Sequence, residues 1–354
     1  MSSYRIALYP GDGIGPEVID QAVCILQHVQ CGQSEYQLRF THFPWGIDYH
    51  ARKGVAAPAD YLDILKPFDA ILLGALGDPR RVPDHVTLEP LVRLRQRFDQ
   101  YACVRPAKLF ANVKSPLANP GAIDMIVVRE NSEGEYFSCG GRFKSGEANE
   151  IAIQTAVHTR CGIERILRFG FELAMQRRRR LTMVTKSNAL KFSMVLWDEV
   201  LEQVRPEFAE VECDRLHIDA AAMDFVRRPD RFDVVVASNL FGDILTDLSA
   251  ALVGGLGLAP SANINPQRTF PSMFEPVHGS APDIIGKGIA NPAAAILSAA
   301  MMLDWLKLPE AATIIRNAVE KALQRGETTP DLGGGLTTAQ MTNRITQYIA
   351  EVPS

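Results

Sequence analysis

Short apolar runs alternate with stretches of helical periodicity along nearly the whole chain, and this alternation restricts the fold more than any other feature. Residues 4–10, 70–74, 123–128, 181–185 and 234–237 read as buried strands, with helical patterns such as 16–29 between them. Strands that alternate with amphipathic helices pack as layers, so the expected class is α/β. At 354 residues the chain is long for one core, which points to two domains or one large unit. The first strand runs into Gly11-Asp-Gly13-Ile-Gly15-Pro16-Glu17. A dinucleotide fingerprint would place its third glycine at position 16, where this chain has proline, so the Rossmann fold is not indicated. Pro16 instead suits the first position of a helix.

A content of 47% hydrophobic and 22% charged residues is ordinary for a globular chain and excludes wholesale disorder. The net charge of −4 supplies no general attraction to nucleic acid or to an anionic membrane. The one basic run, Arg177–Arg180, follows a helical pattern and reads as charge placed at the negative end of a helix dipole. Six cysteines without any CxxC pair fit a reduced, cytoplasmic chain better than a disulfide framework or a zinc site. The longest apolar run, 293–303, ends at Asp304 and is too short to span a bilayer.

Candidate chemistry centres on Asp243 and Asp247, which follow the apolar strand 234–237. Residues four apart share one helix face, so both carboxylates point the same way and repel unless a cation lies between them. A solvated helix face is the plainer reading of such a pair taken alone. Asp219 lies just upstream, and three carboxylates with room for water suit Mg²⁺ or Mn²⁺. Arg95, Arg105 and Arg129 would suit a di- or tricarboxylate if they converged, since guanidinium groups pair with carboxylates. Lys186 ends the strand 181–185, where open α/β sheets place ligands, and is a candidate base. Tyr136 is a candidate acid. Farther on, Glu275-Pro-Val-His278-Gly279-Ser280-Ala281-Pro-Asp283 contains small residues that let a ligand approach the backbone, and Asn291-Pro292 reads as an N-cap and first helical residue.

Taken together, 11–17, 128–136, 239–247 and 275–283 closely resemble the metal-dependent β-decarboxylating dehydrogenases, the isocitrate and isopropylmalate dehydrogenase family. The likeness runs from about residue 4 to 345 in the same order. It implies an isopropylmalate dehydrogenase-like two-domain fold with a large mixed sheet: residues 1–100 and 254–354 in one domain, 101–253 in the other, and a cleft site. It implies a dimer arm near 137–157 and a homodimer that shares its sites. The resemblance makes Asp219, Asp243 and Asp247 metal ligands, with Lys186 and Asp219 reaching into the site of the second copy. It makes Lys186 the base, Tyr136 the acid, and Arg95, Arg105 and Arg129 the binders of the carboxylate that leaves as CO₂. Cofactor contacts fall to Glu275, His278, Gly279, Ser280, Ala281, Asp283 and Asn291. Asp283 would accept from a ribose 2′-hydroxyl and repel a 2′-phosphate, which favours NAD.

Within the family, residues 43–49, 82–85 and 104–108 look like those of D-malate and tartrate dehydrogenases, which implies oxidation and decarboxylation of D-malate, with tartrate as a further substrate. Such relatives also use K⁺. The alternative is 3-isopropylmalate: Leu88 replaces the glutamate usual there, but Leu91 and Val92 would keep the pocket apolar. No nucleic acid or membrane partner is expected.

Overall fold

The computed structural model describes residues 2–31 and 35–351. Two compact units emerge: residues 1–100, 106–120 and 250–354 form the first, and residues 101–105 and 121–249 the second. Residues 106–120 and 250–253, which the sequence reading put with the second domain, group with the first. The first unit opens with β1 (Ser2–Gly11), α1 (Gly15–Gln30), β2 (Tyr36–His42), α2 (Ile47–Lys53), α3 (Tyr61–Leu65), β3 (Ala70–Ala75), α4 (Asp84–Thr87) and α5 (Glu89–Arg97). After β4 (Ala102–Lys108), the second unit contains β5 (Asp124–Glu130), β6 (Gly140–Phe143), β7 (Ile151–Gln154) and α6 (Arg160–Met175). It continues through β8 (Arg180–Thr185), α7 (Ser193–Val204), β9 (Glu212–His217), α8 (Ile218–Arg227), β10 (Val234–Ala237) and α9 (Asn239–Leu252). The first unit then closes with β11 (Pro260–Ile264), β12 (Ser272–Pro276), α10 (Ala293–Trp305), α11 (Pro309–Gln324) and α12 (Thr338–Ala350).

In the first unit the strand order is β2-β1-β3-β12-β11, parallel except where β11 runs against β12, so the sheet is mixed. Every residue of β3 (AILLGA) is buried, as expected for a parallel strand covered on both faces. Leu73, Tyr9, Trp45, Tyr61, Leu91, Leu94 and Phe98 belong to one core cluster. The apolar run at 293–303 becomes α10, a 13-residue helix whose residues are nearly all buried. A helix that is apolar on all sides belongs in a core. At about 1.5 Å per residue it measures roughly 20 Å, short of a bilayer's apolar thickness of about 30 Å. No helix among the described residues is long and apolar enough to cross a membrane.

The glycine-rich turn after β1 is filled by protein. Gly13 has φ +60°, a left-handed conformation, and a Cβ there would overlap the backbone oxygen of Ser280. That oxygen accepts a hydrogen bond from the Ile14 amide at 3.0 Å. The turn therefore docks against the 275–283 loop and does not cradle a phosphate in the Rossmann manner. Pro16 lies in the first turn of α1, as its fixed φ favours.

In the second unit β5, β10, β8 and β9 lie side by side, all parallel. Antiparallel β6 and β7 form a separate ladder that exposes Phe143, Ile151 and Ile153. The basic run at 177–180 is an internal clamp. Arg177 Nε donates to Asp233 at 2.8 Å, the Arg178 amide to the same carboxylate at 2.9 Å, and Arg180 pairs with Glu212 at 3.0 Å. These ion pairs, more than a helix dipole, account for the arginines. The Asp233 side chain is fully buried, so its charge depends on these donors. Asp233→Asn is expected to cost about 1–3 kcal/mol. Urea unfolding should show a lower midpoint at unchanged slope; an unchanged midpoint would mean that the clamp carries no net stability.

Candidate active site

The register of β5 against β10 assembles the main cluster. Parallel pairing sets Arg129 beside Ala237, so the end of β5 lies next to the turn that opens α9. Arg129, only 1% exposed, donates from Nε and Nη2 to Asn239 Oδ1 at 2.9 and 2.6 Å. Its Nη1 donates to Asp243 Oδ1. Arg105 adds Nη1 to Thr246 Oγ1 at 2.6 Å and to Asp243 Oδ1 at 3.3 Å. Tyr136 donates its hydroxyl to Asp243 Oδ2 at 2.8 Å, and its ring lies 5.2 Å from the Arg129 guanidinium. Four of the residues singled out from sequence, Arg105, Arg129, Tyr136 and Asp243, thus meet at one carboxylate.

Electrostatics follows from this packing. Burial raises the Tyr136 pKa, and the bond to Asp243 raises it further, because a phenolate there would face a carboxylate. The phenol therefore keeps its proton at neutral pH. Asp247 stands one turn beyond Asp243 with an open side chain. Its pKa is raised, first by partial burial and next by the Asp243 charge, with Arg105 and Arg129 opposing. Two repelling carboxylates on one helix face, both hard oxygen donors, fit Mg²⁺ or Mn²⁺.

A second cluster comes from the β8–β9 register, which sets Thr185 beside His217. Lys186 Nζ donates to Asp219 Oδ1 at 2.6 Å, and this bond holds the Asp219 carboxyl below its usual range. Asp219 is 67% exposed. Among the described residues no three His, Cys, Asp or Glu side chains gather as a metal set within one chain. Asp243 and Asp247 share α9, whereas Asp219 lies on α8 and pairs with Lys186, which follows β8.

In the first unit Arg95 Nη2 donates to Glu275 Oε1 at 2.5 Å, and Asn263 Nδ2 donates to the same oxygen at 2.7 Å. Glu275, expected at the cofactor, here fixes an arginine. His278 Nδ1 lies 3.0 Å from the Gly279 oxygen, and burial lowers the ring's pKa. Ser280 is buried, Ala281 sits at φ +42°, and Asp283 is exposed. Asn291 accepts from the Ala293 amide at 3.0 Å and donates to Asp331 at 3.0 Å. The cap of α10 is Pro292, one residue later than the sequence suggested.

Sequence reasoning passed over Asn239, Thr246 and Asp12. Asp12 is a buried carboxylate that accepts from the amides of Ile47 (2.6 Å) and Gly77 (2.9 Å). The 239-243-247 spacing, one helix face, was the signal that could have revealed Asn239.

Residues 5–347 match the isocitrate/isopropylmalate dehydrogenase family, and the chain belongs to it. It is an oxidoreductase, a decarboxylating hydroxy-acid dehydrogenase; enzymes of this family typically use NAD and a divalent metal. Among its relatives, the D-malate dehydrogenase (decarboxylating) of Escherichia coli K12 is 49% identical over 359 residues, covering 99% of both chains. A probable tartrate dehydrogenase/decarboxylase of Agrobacterium vitis is 48% identical over 354 residues, again covering 99% of each. The solved isocitrate dehydrogenase of Methylococcus capsulatus superposes with a TM-score of 0.88 at 38% identity, covering 98% of this chain and 100% of that one. The isopropylmalate dehydrogenase-like α/β fold follows.

Asp247 yields a prediction with two opposite signs. Its folded pKa is raised, so without metal its contribution to stability falls as pH rises from the ordinary carboxylate value, about 3.9, through the folded one. Asp247→Asn should therefore raise the metal-free melting temperature at pH 7 and abolish the rise that Mn²⁺ gives the parent chain. An undiminished Mn²⁺ shift in the variant would remove Asp247 from the ligand set.

Proposed function

We propose that this chain catalyses NAD-dependent oxidative decarboxylation of D-malate to pyruvate and CO₂, and oxidises tartrate as well. The observation that carries this reading is the meeting of Arg105, Arg129 and Tyr136 at Asp243. Two guanidinium groups beside a protonated phenol suit a carboxylate that must be held and then replaced by a proton. The D-malate and tartrate activities named for the relatives support the substrate class.

In this reading Arg95, Arg105 and Arg129 bind the carboxylate that leaves as CO₂. Lys186 receives the C2 hydroxyl proton, directly or through water, and Tyr136 returns a proton to C3. Asp243 and Asp247, with Asp219 contributed by a second copy, would hold Mg²⁺ or Mn²⁺, which supplies Lewis-acid polarisation of the substrate oxygens. The 278–283 loop and Asn291 would hold NAD, which would supply the hydride acceptor, and Asp283 would accept from a ribose 2′-hydroxyl. A working enzyme is then a homodimer, and K⁺ is proposed as an added ion.

The 3-isopropylmalate alternative loses one support. Leu91, expected to line the pocket, lies in the first unit's core cluster with Tyr61, Leu94 and Phe98. The direct test is the initial rate of NADH formation from D-malate with NAD, Mn²⁺ and K⁺, beside 3-isopropylmalate and beside NADP. D-malate with NAD should be fastest, with pyruvate as product. Turnover of 3-isopropylmalate alone would overturn the substrate, and equal rates with NADP the role of Asp283.

A further inference from the structure

We propose that Asn239 is a positioning residue that sets two groups at once: the plane of the Arg129 guanidinium and the loop that carries Tyr136. This rests on the reading above, in which Arg129 holds the substrate carboxylate and Tyr136 moves a proton. Asn239 is 3% exposed and sits in the first turn of α9, four residues before Asp243. Its Oδ1 accepts from both Nε and Nη2 of Arg129. This two-point grip fixes the guanidinium so that Nη1 faces Asp243. Its Nδ2 donates to the backbone oxygen of Glu133 at 2.8 Å, three residues before Tyr136.

An amide side chain does both with separate atoms, an oxygen that accepts and a nitrogen that donates. An aspartate offers acceptors alone, a lysine donors alone, and an aliphatic residue neither. Two glycines let the chain pack closely around this pair. Gly134, at φ +82°, passes over Asn239 so closely that a Cβ would come within 2.9 Å of the Asn239 Cβ. A Cβ on Gly242 would come within 2.6 Å of the Arg129 Cβ. A second tie holds the same loop: the Leu240 amide donates to Glu135 Oε2 at 3.2 Å, at the positive end of the α9 dipole. Asn239 thus couples the group that grips the substrate to the loop that delivers the acid.

The test separates the two functions by chemistry. Asn239→Asp keeps an acceptor for Arg129 and loses the donor to the Glu133 oxygen. It should leave KM for D-malate within about threefold while kcat falls about tenfold or more. Asn239→Ala loses both bonds, and should raise KM about tenfold as well as lowering kcat. A purely structural role would lower kcat in both variants only in proportion to the folded fraction, at unchanged KM, and would overturn the proposal. Binding of malonate, a non-reactive dicarboxylate, by calorimetry with Mg²⁺ present separates this outcome from failure of the functional reading. If Arg129→Ala binds malonate as well as the parent chain, or the parent binds none, the reading of Arg129 falls and the proposal with it. If Arg129→Ala abolishes binding but Asn239→Ala leaves the Kd unchanged, the reading stands and the positioning role is wrong.

Discussion

The Asp243 carboxylate is the junction on which the second unit's chemistry depends. Two arginines and a tyrosine, drawn from β4, β5 and the loop after β5, end their hydrogen bonds on it. Burial first, and this carboxylate second, keep the Tyr136 phenol protonated. Replacing Asp243 would leave two inward-facing guanidinium groups short of an acceptor, an error in a buried network that costs more than one bond. The register of β5 on β10 is what makes the junction possible. A slip of one residue would turn Arg129 to the opposite face of the sheet and dissolve the cluster.

Much of this was legible in the sequence, for physical reasons. The buried parallel strands announce themselves as continuous apolar runs, and β3 and β10 are such runs. The i, i+4 rule placed Asp243 and Asp247 on one face, and strand ends singled out Arg129 and Lys186. The convergence of Arg105 with Arg129 was not legible, because it depends on where β4 runs, and spacing along the chain carries no such information. Asn239 escaped notice because an asparagine at the start of a helix is usually a cap. Here its side chain serves Arg129 and Glu133 instead.

Residues 43–49 were read as a likeness to D-malate and tartrate dehydrogenases, and Leu91 as a residue that keeps the pocket apolar. Trp45 is buried, edge-on to Tyr9 at 5.4 Å and to Tyr61 at 6.3 Å, so it speaks through packing. Leu91 belongs to the same core. Composition and periodicity cannot tell a core leucine from a pocket leucine, since both are apolar residues on the inner face of a helix. Glu275 shows the same limit for charge. Its motif suggested a cofactor contact, while its nearest duty is to neutralise Arg95.

A crystal grown with Mn²⁺ and D-malate, with data collected at the manganese absorption edge, tests the central claim most directly. The account predicts an anomalous peak in coordination distance of Asp243 and Asp247, with Asp219 of a second copy completing the set. It also predicts a malate carboxylate on Arg105 and Arg129. A manganese peak remote from α9, with Asp243 still bonded to Arg105, Arg129 and Tyr136, would contradict it.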